Sequence, residues 1–158
     1  MPQTKTLHIR ATSSAVREAR LFAAASLHKW GMASLAEDAK LVVSELVTNA
    51  VKASADHDDV AVWLWSDGQG VLIEVRDSAP GIPLLIEPTD DELSGRGLPL
   101  VAAFSEDWGC CPAGRGKVVW ARLCPDTVTP GRRSPIHDGQ PANLRLLACG
   151  QPSGSSPG

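Results

Sequence analysis

The chain has no excess of basic charge: 15 Lys and Arg stand against 18 Asp and Glu, for a net charge of −3. A nucleic-acid-binding domain carries a positive electrostatic footprint, so direct nucleic-acid binding is not expected. No apolar run reaches the ~18 residues of a membrane span. Met1-Pro-Gln-Thr-Lys-Thr6 is followed by no apolar segment of the signal-peptide kind. The expectation is therefore a cytoplasmic protein with no membrane partner. Zinc-type cysteine spacing is also missing. The cysteines are Cys110, Cys111, Cys124 and Cys149, and adjacent cysteines are poor joint ligands. Four thiols in a reducing compartment is the expectation. His8, His28, His57 and His137 are scattered and suggest no catalytic cluster.

What is present suffices for one domain with a real core, at 158 residues. Thr6 to Arg10 alternates and reads as a short first strand. Ser13 or Ser14 can cap a helix in which Val16, Ala19, Ala23, Leu27 and Trp30 recur at helical spacing, and Gly31 ends it. A second helix is expected to start near Ser34, which forms a capping-box pattern with Glu37. Along it Ala39, Val42, Val43, Leu46, Val47, Ala50 and Ala53 make one apolar arc. Asp38, Glu45, Thr48, Asn49 and Lys52 make the opposite stripe. Glu45 and Asn49 lie one turn apart on the same face. A carboxylate and an amide so placed can hold a hydrated cation or orient a hydroxyl, although a solvated helix face has the same look.

The period then becomes two. Val60, Val62 and Leu64 alternate with Ala61, Trp63 and Trp65; Asp67-Gly-Gln-Gly70 is a turn; Val71, Ile73 and Val75 alternate with Leu72, Glu74 and Arg76. This is a hairpin, with Trp63 and Trp65 expected to cover its second face. Asp77 continues the Val71, Ile73, Val75 series, so it should point to the buried face as the strand ends. A carboxylate there costs several kcal/mol unless it finds donors; capping the following turn is the plain alternative.

Residues 78 to 94 show no period and read as a lid or binding loop. The loop runs into Ser94-Gly-Arg-Gly-Leu-Pro-Leu-Val101 and an apolar helix to Phe104. Glycines before a helix N-terminus expose backbone N–H groups to an anion, and Arg96 adds charge. Closing strands are expected over 106–111 and 117–123. After Cys124 the composition shifts. Residues 125–158 hold half of the 12 prolines, with much Gly and Ser, and read as a disordered tail whose one apolar patch is Leu144-Arg-Leu-Leu-Ala148.

In this order, Glu45-Leu-Val-Thr-Asn49-Ala, Asp77-Ser-Ala-Pro-Gly81-Ile and Gly95-Arg-Gly-Leu-Pro-Leu-Val101 resemble the three ATP-binding boxes of the GHKL superfamily, which includes gyrase and the histidine kinases. Ser44-Glu-Leu-Val-Thr-Asn49, Gly95-Arg-Gly-Leu98 and Gly116-Lys-Val-Val-Trp-Ala121 look like the actinobacterial members of its anti-sigma regulatory factor, or serine-protein kinase, branch. The resemblance covers about residues 5–124. It implies a Bergerat-type α/β (α+β) two-layer sandwich: a mixed, mostly antiparallel sheet with helices on one face, ATP and Mg²⁺ as ligands, and homodimers among the relatives. It implies that Asn49 helps hold Mg²⁺ and that Glu45 is the base for an attacking hydroxyl. Asp77 would read the adenine amino group and Gly81 would admit the backbone close to the nucleotide. Gly95, Arg96, Gly97 and Leu98 would form the phosphate end of the lid.

There are departures. Ala79 replaces the first glycine of the second box, where positive φ is useful. Val118 stands where a Thr often follows Gly-Lys and would support the adenine-binding carboxylate, a hydrogen bond worth roughly 1 kcal/mol. Ala53 stands where a His often follows the basic residue of the first box. The resemblance therefore implies an ATP-binding regulator that sequesters a partner such as a sigma factor and phosphorylates a STAS-domain anti-anti-sigma factor. The alternative is an ATP-binding interaction module without kinase activity. A detached histidine-kinase domain fits poorly, because His28 sits on a helix too short for a dimerisation hairpin.

Overall fold

The two periods of the sequence become two layers. A computed structural model describes residues 1–55, 57–78 and 97–125, with 97–99 described by backbone alone. The elements in order are β1 (Gln3–Arg10), α1 (Ala15–Lys29), α2 (Ala36–Ala53), β2 (Asp59–Ser66), β3 (Val71–Asp77), α3 (Gly97–Phe104), β4 (Asp107–Ala113) and β5 (Gly116–Leu123). The sheet order is β1-β2-β3-β5-β4, and every neighbouring pair is antiparallel. The expected α+β two-layer sandwich, with helices on one face of a mostly antiparallel sheet, is borne out. The described strands have no parallel pair, because β5 turns back from β4 in a hairpin and inserts beside β3.

The helices pack on the sheet face built by Val60, Val62, Leu64, Val71, Ile73, Val75, Val119, Ala121 and Leu123. From α2 this core takes Ala39, Val42, Val43, Leu46, Val47 and Ala50, as the apolar arc predicts. Ala53, in the last turn, is exposed. Alternation sends Leu72, Val118 and Trp120 to the opposite face, where they cluster with Ala113, Trp65 and Cys111.

The helix termini differ from expectation at their starts. A 3-10 turn over Ala33–Leu35 precedes α2, so Ser34 lies inside that turn and no side chain caps the helix. Glu37 pairs forward with Lys40 at 2.8 Å instead of reaching back to Ser34. At α1, Ser14 occupies the cap position, but its hydroxyl bonds Glu18 (3.3 Å) and Thr12 (3.0 Å) and not the helix backbone. The end of α1 follows the sequence. Gly31 takes φ +73°, its N–H reaches the His28 carbonyl, and the Met32 N–H reaches that of Leu27. This is a Schellman termination, for which glycine lacks the Cβ penalty.

Candidate functional site

The polar stripe of α2 divides by hydrogen bonding. The Ser44 hydroxyl donates to the Lys40 carbonyl at 2.6 Å and Thr48 donates to the Ser44 carbonyl at 2.6 Å. Both are absorbed by their own helix. Glu45 and Asn49 are half-buried and make no side-chain hydrogen bond among the described residues. A carboxylate and an amide oxygen one turn apart suit a hard cation, or a hydroxyl that must lose a proton. No group of three or more metal-ligating side chains occurs among the described residues. A magnesium ion would need few protein ligands, since it usually keeps several waters and takes phosphate oxygens as well. Donor type and spacing thus fit the cation that the family resemblance implies.

α2 packs against β3, whose last residue is Asp77. Strand parity predicts a buried carboxylate there, and Asp77 is 2% exposed. Opposite it in the β3–β5 register stands Lys117. Its Nζ lies 3.1 Å from Oδ1 and 3.0 Å from Oδ2, and the lysine is itself buried. The sequence reading did not single out Lys117. A signal was available: Lys117 shares parity with Val119, Ala121 and Leu123, so a cation at that position continues an apolar series. The pair gives Asp77 the donor that burial demands.

β5 approaches this end closely because Gly116 has no side chain. A Cβ there would overlap the Asp77 carbonyl oxygen and crowd the Ser78 Cα. The same register corrects one expectation. Val118 opposes Arg76 and packs with Trp120 and Leu72 on the second face, whereas Asp77 is on the helix face. A Thr at 118 would point away from Asp77, so the valine deletes no hydrogen bond to that carboxylate.

Gly97 opens α3, which also packs against α2, and Leu98 is its second residue. α3 thereby lies beside the helix that carries Glu45 and Asn49. Gly81, Gly95 and Arg96, with Ala79, lie outside the described residues, as do the lid loop and the tail.

The far end of the β3–β5 ladder carries a different polar group. Arg122 bonds Glu106 through Nε at 3.0 Å and Asp67 through Nη2 at 3.4 Å. Burial opposes ionisation of Asp67, but N–H donors from Gln69 and Gly70 and the Arg122 charge outweigh it and hold its pKa below the usual value. The Arg122 pKa is raised: burial works against its charge, and Cys124 and Asp67 more than offset it. The Cys124 thiol donates to Glu106 Oε2 at 3.0 Å. The expectation of four thiols does not hold: among the described cysteines, Cys111 is disulfide-bonded, while Cys110 and Cys124 are thiols. Adjacency in sequence hides this difference, because neighbouring strand residues point to opposite faces.

Among the described residues no helix is long and apolar enough to cross a membrane. Compared with known proteins, residues 9–123 match the family model described as a histidine kinase-like ATPase domain. No curated protein matches the chain. The matched span runs from the end of β1 to the end of β5 and includes Glu45, Asn49, Asp77, Gly97 and Lys117.

Proposed function

Because the chain belongs to the histidine kinase-like ATPase domain family, we propose that it is an ATP-dependent regulator of the anti-sigma serine-kinase kind. It binds ATP with Mg²⁺, sequesters a regulatory protein such as a sigma factor, and phosphorylates a serine or threonine on a STAS-domain antagonist in the cytoplasm. The observation that carries this reading is the α2 face. Glu45 and Asn49 are half-buried and unengaged among the described residues, on the helix that packs against the strand ending in buried Asp77.

Each side chain then has a task. The Asp77 carboxylate, fixed by Lys117, accepts a hydrogen bond from the amino group of adenine. Guanine presents a carbonyl at that place, which a carboxylate repels. The amide oxygen of Asn49 is a ligand for Mg²⁺. The metal neutralises charge on the transferring phosphoryl group. Glu45 accepts the proton of the attacking hydroxyl. Phosphoryl transfer depends mainly on positioning and charge, and an orderly helix face supplies the first.

Calorimetry tests this with wild type, Asp77→Asn and Glu45→Gln. Far-UV circular dichroism confirms that each variant is folded. Wild type should bind ATP more tightly with Mg²⁺ than without it, and Asp77→Asn should lose binding. Glu45→Gln should retain binding and lose phosphotransfer to a STAS-domain protein. Wild type that binds nucleotide and transfers phosphate to no such protein would leave the inactive module as the reading. Absence of binding at millimolar ATP would end both.

A further inference from the structure

The two edges of the sheet are protected differently. β4 closes one edge, and Pro112 is its one exposed residue. Proline has no N–H to offer a further strand. β1 closes the other edge, and Gln3, Thr4, Thr6, His8 and Arg10 are exposed among its eight residues. It pairs with β2 over its whole length, from Gln3 opposite Ser66 to Arg10 opposite Asp59. Alternate residues of such a strand aim N–H and C=O groups away from the sheet. Among the described residues, only the Arg10 carbonyl finds a backbone partner outside the ladder, the Thr12 N–H at 2.8 Å.

Charge tells what this edge receives. β1 holds Lys5, His8 and Arg10 and no acidic residue. The facing strand β2 supplies a single acid, Asp59 opposite Arg10. α1, which packs against β1, adds Arg17, Arg20 and Lys29 against Glu18 alone. Residues 1–30 thus carry five Lys and Arg and one acid, in a chain whose net charge is −3. Lysine on an edge strand deters aggregation. One charge of either sign serves that purpose; one sign repeated over a strand and the helix beside it goes further. A second copy of this chain is a poor occupant, because β1 set against itself in any register opposes basic residues with basic or neutral ones. Nucleic acid or anionic lipid would answer the charge but not the backbone groups. We infer that β1 is a docking edge for an acidic, extended segment of another protein, which joins the sheet as a sixth strand.

Register sets that segment's pattern. Leu7 and Ile9 turn to the helix face and pack on the core, and Lys5 shares their parity. Thr4, Thr6, His8 and Arg10 face the other way. His8 stands edge-to-face against Trp63 with ring centroids 6.1 Å apart, and Arg10 donates to the His57 carbonyl at 3.5 Å. An antiparallel partner meets Arg10 first and Thr4 last. It needs acids opposite Arg10, His8 and Lys5, and β-branched residues opposite Ile9 and Leu7. Glu-Val-Glu-Val-Thr-Glu-Thr has that pattern. The edge lies two strands from β3 and Asp77, so the inference stands without the nucleotide reading.

Fluorescence anisotropy of that peptide, labelled and titrated with the full chain at low salt, tests the assignment. Saturable binding is expected, with slower amide hydrogen exchange over Gln3–Arg10 in the complex. Two further peptides, N-methylated at the odd or the even residues, keep the charge. At least one of them should fail to bind, since one set of N–H groups must face β1. Lys5→Glu should weaken binding of the parent peptide about tenfold and leave circular dichroism unchanged. No binding at millimolar peptide overturns the proposal. So does equal binding of all three peptides, or protection of the β1 amides by duplex DNA or anionic vesicles instead of the peptide. A dimer in ultracentrifugation that protects the same amides gives the edge to a second copy and overturns it too. If Lys5→Glu fails to fold, the N-methylated peptides decide alone.

Discussion

At one end of the β3–β5 ladder Asp77 and Lys117 meet out of water; at the other, Arg122 holds Asp67 and Glu106 at the surface. The side chains are 2% and 10% exposed in the first pair, against 34% for Asp67 and 51% for Glu106. Both are charge-assisted contacts between neighbouring strands or their turns, at similar distances. Their energetics differ because burial strips solvent from both members of a pair and leaves each dependent on the other. A pair of matched apolar residues would hold that end of the sheet at least as well. A buried carboxylate at a strand end, beside the helix that carries Glu45 and Asn49, thus speaks for a ligand more than for stability. The surface group speaks for pinning the β2–β3 turn to β5.

The largest effect should come from breaking the buried pair. Lys117→Ala takes the buried cation away from the Asp77 carboxylate and is expected to cost about 3–5 kcal/mol in urea unfolding. Glu106→Gln at the surface end should cost about 0–1 kcal/mol. Combining Asp77→Asn with Lys117→Met removes both charges and should restore much of the lost stability without restoring ATP binding. Equal costs at the two ends would break the comparison, and a double variant that still binds ATP would show that Asp77 does not read the base.

A smaller effect tests how tightly the site end is built. Gly116→Ala puts a methyl against the Asp77 carbonyl, which is backbone and can yield only by moving β5. Overpacking of this kind costs typically 1–3 kcal/mol. It should also weaken ATP binding, because the displaced strand carries Lys117. Gly114→Ala, in the β4–β5 turn, meets only the mobile tip of Arg76 and is strained by its φ of +58° alone, so it should lower stability and leave binding in place. Parallel titrations of the two variants check this.

How much of this was legible in the sequence follows from what kind of signal each residue carries. The α2 core face was readable because apolar positions repeat at one period, six of the seven being buried and Ala53 exposed, and the burial of Asp77 because it extends a period-two series. Lys117 went unread because a lysine near a turn usually means solvent, and only its parity with Val119 and Ala121 says otherwise. The hydrogen bond that the resemblance gave to position 118 does not hold, because a family motif carries no account of which sheet face the residue takes. The Ser34 cap failed because a 3-10 turn and a capping box compete for the same few residues, and local sequence does not rank them. Cys111 was beyond reach: four cysteines permit several pairings, and spacing does not choose among them.

The smallest effect sharpens the surface end. Burial first, and then the neighbouring Glu106 carboxylate that accepts its S–H, push the Cys124 thiol up from its usual 9.0 to about 11, against the opposing pull of Arg122. The folded state thus favours the protonated thiol. Its contribution to stability is complete below the unfolded value near 9 and is lost as pH rises toward about 11. Little of the thiolate that attacks iodoacetamide exists near neutral pH, so Cys124 in the native protein should alkylate more slowly than the same cysteine in urea. Glu106→Gln removes the charge that disfavours the thiolate and should speed native alkylation while stability at neutral pH barely moves. Unchanged reactivity in that variant would place the shift in burial alone. The group around Arg122 would then be a set of independent surface contacts, in contrast to the mutual dependence of Asp77 and Lys117.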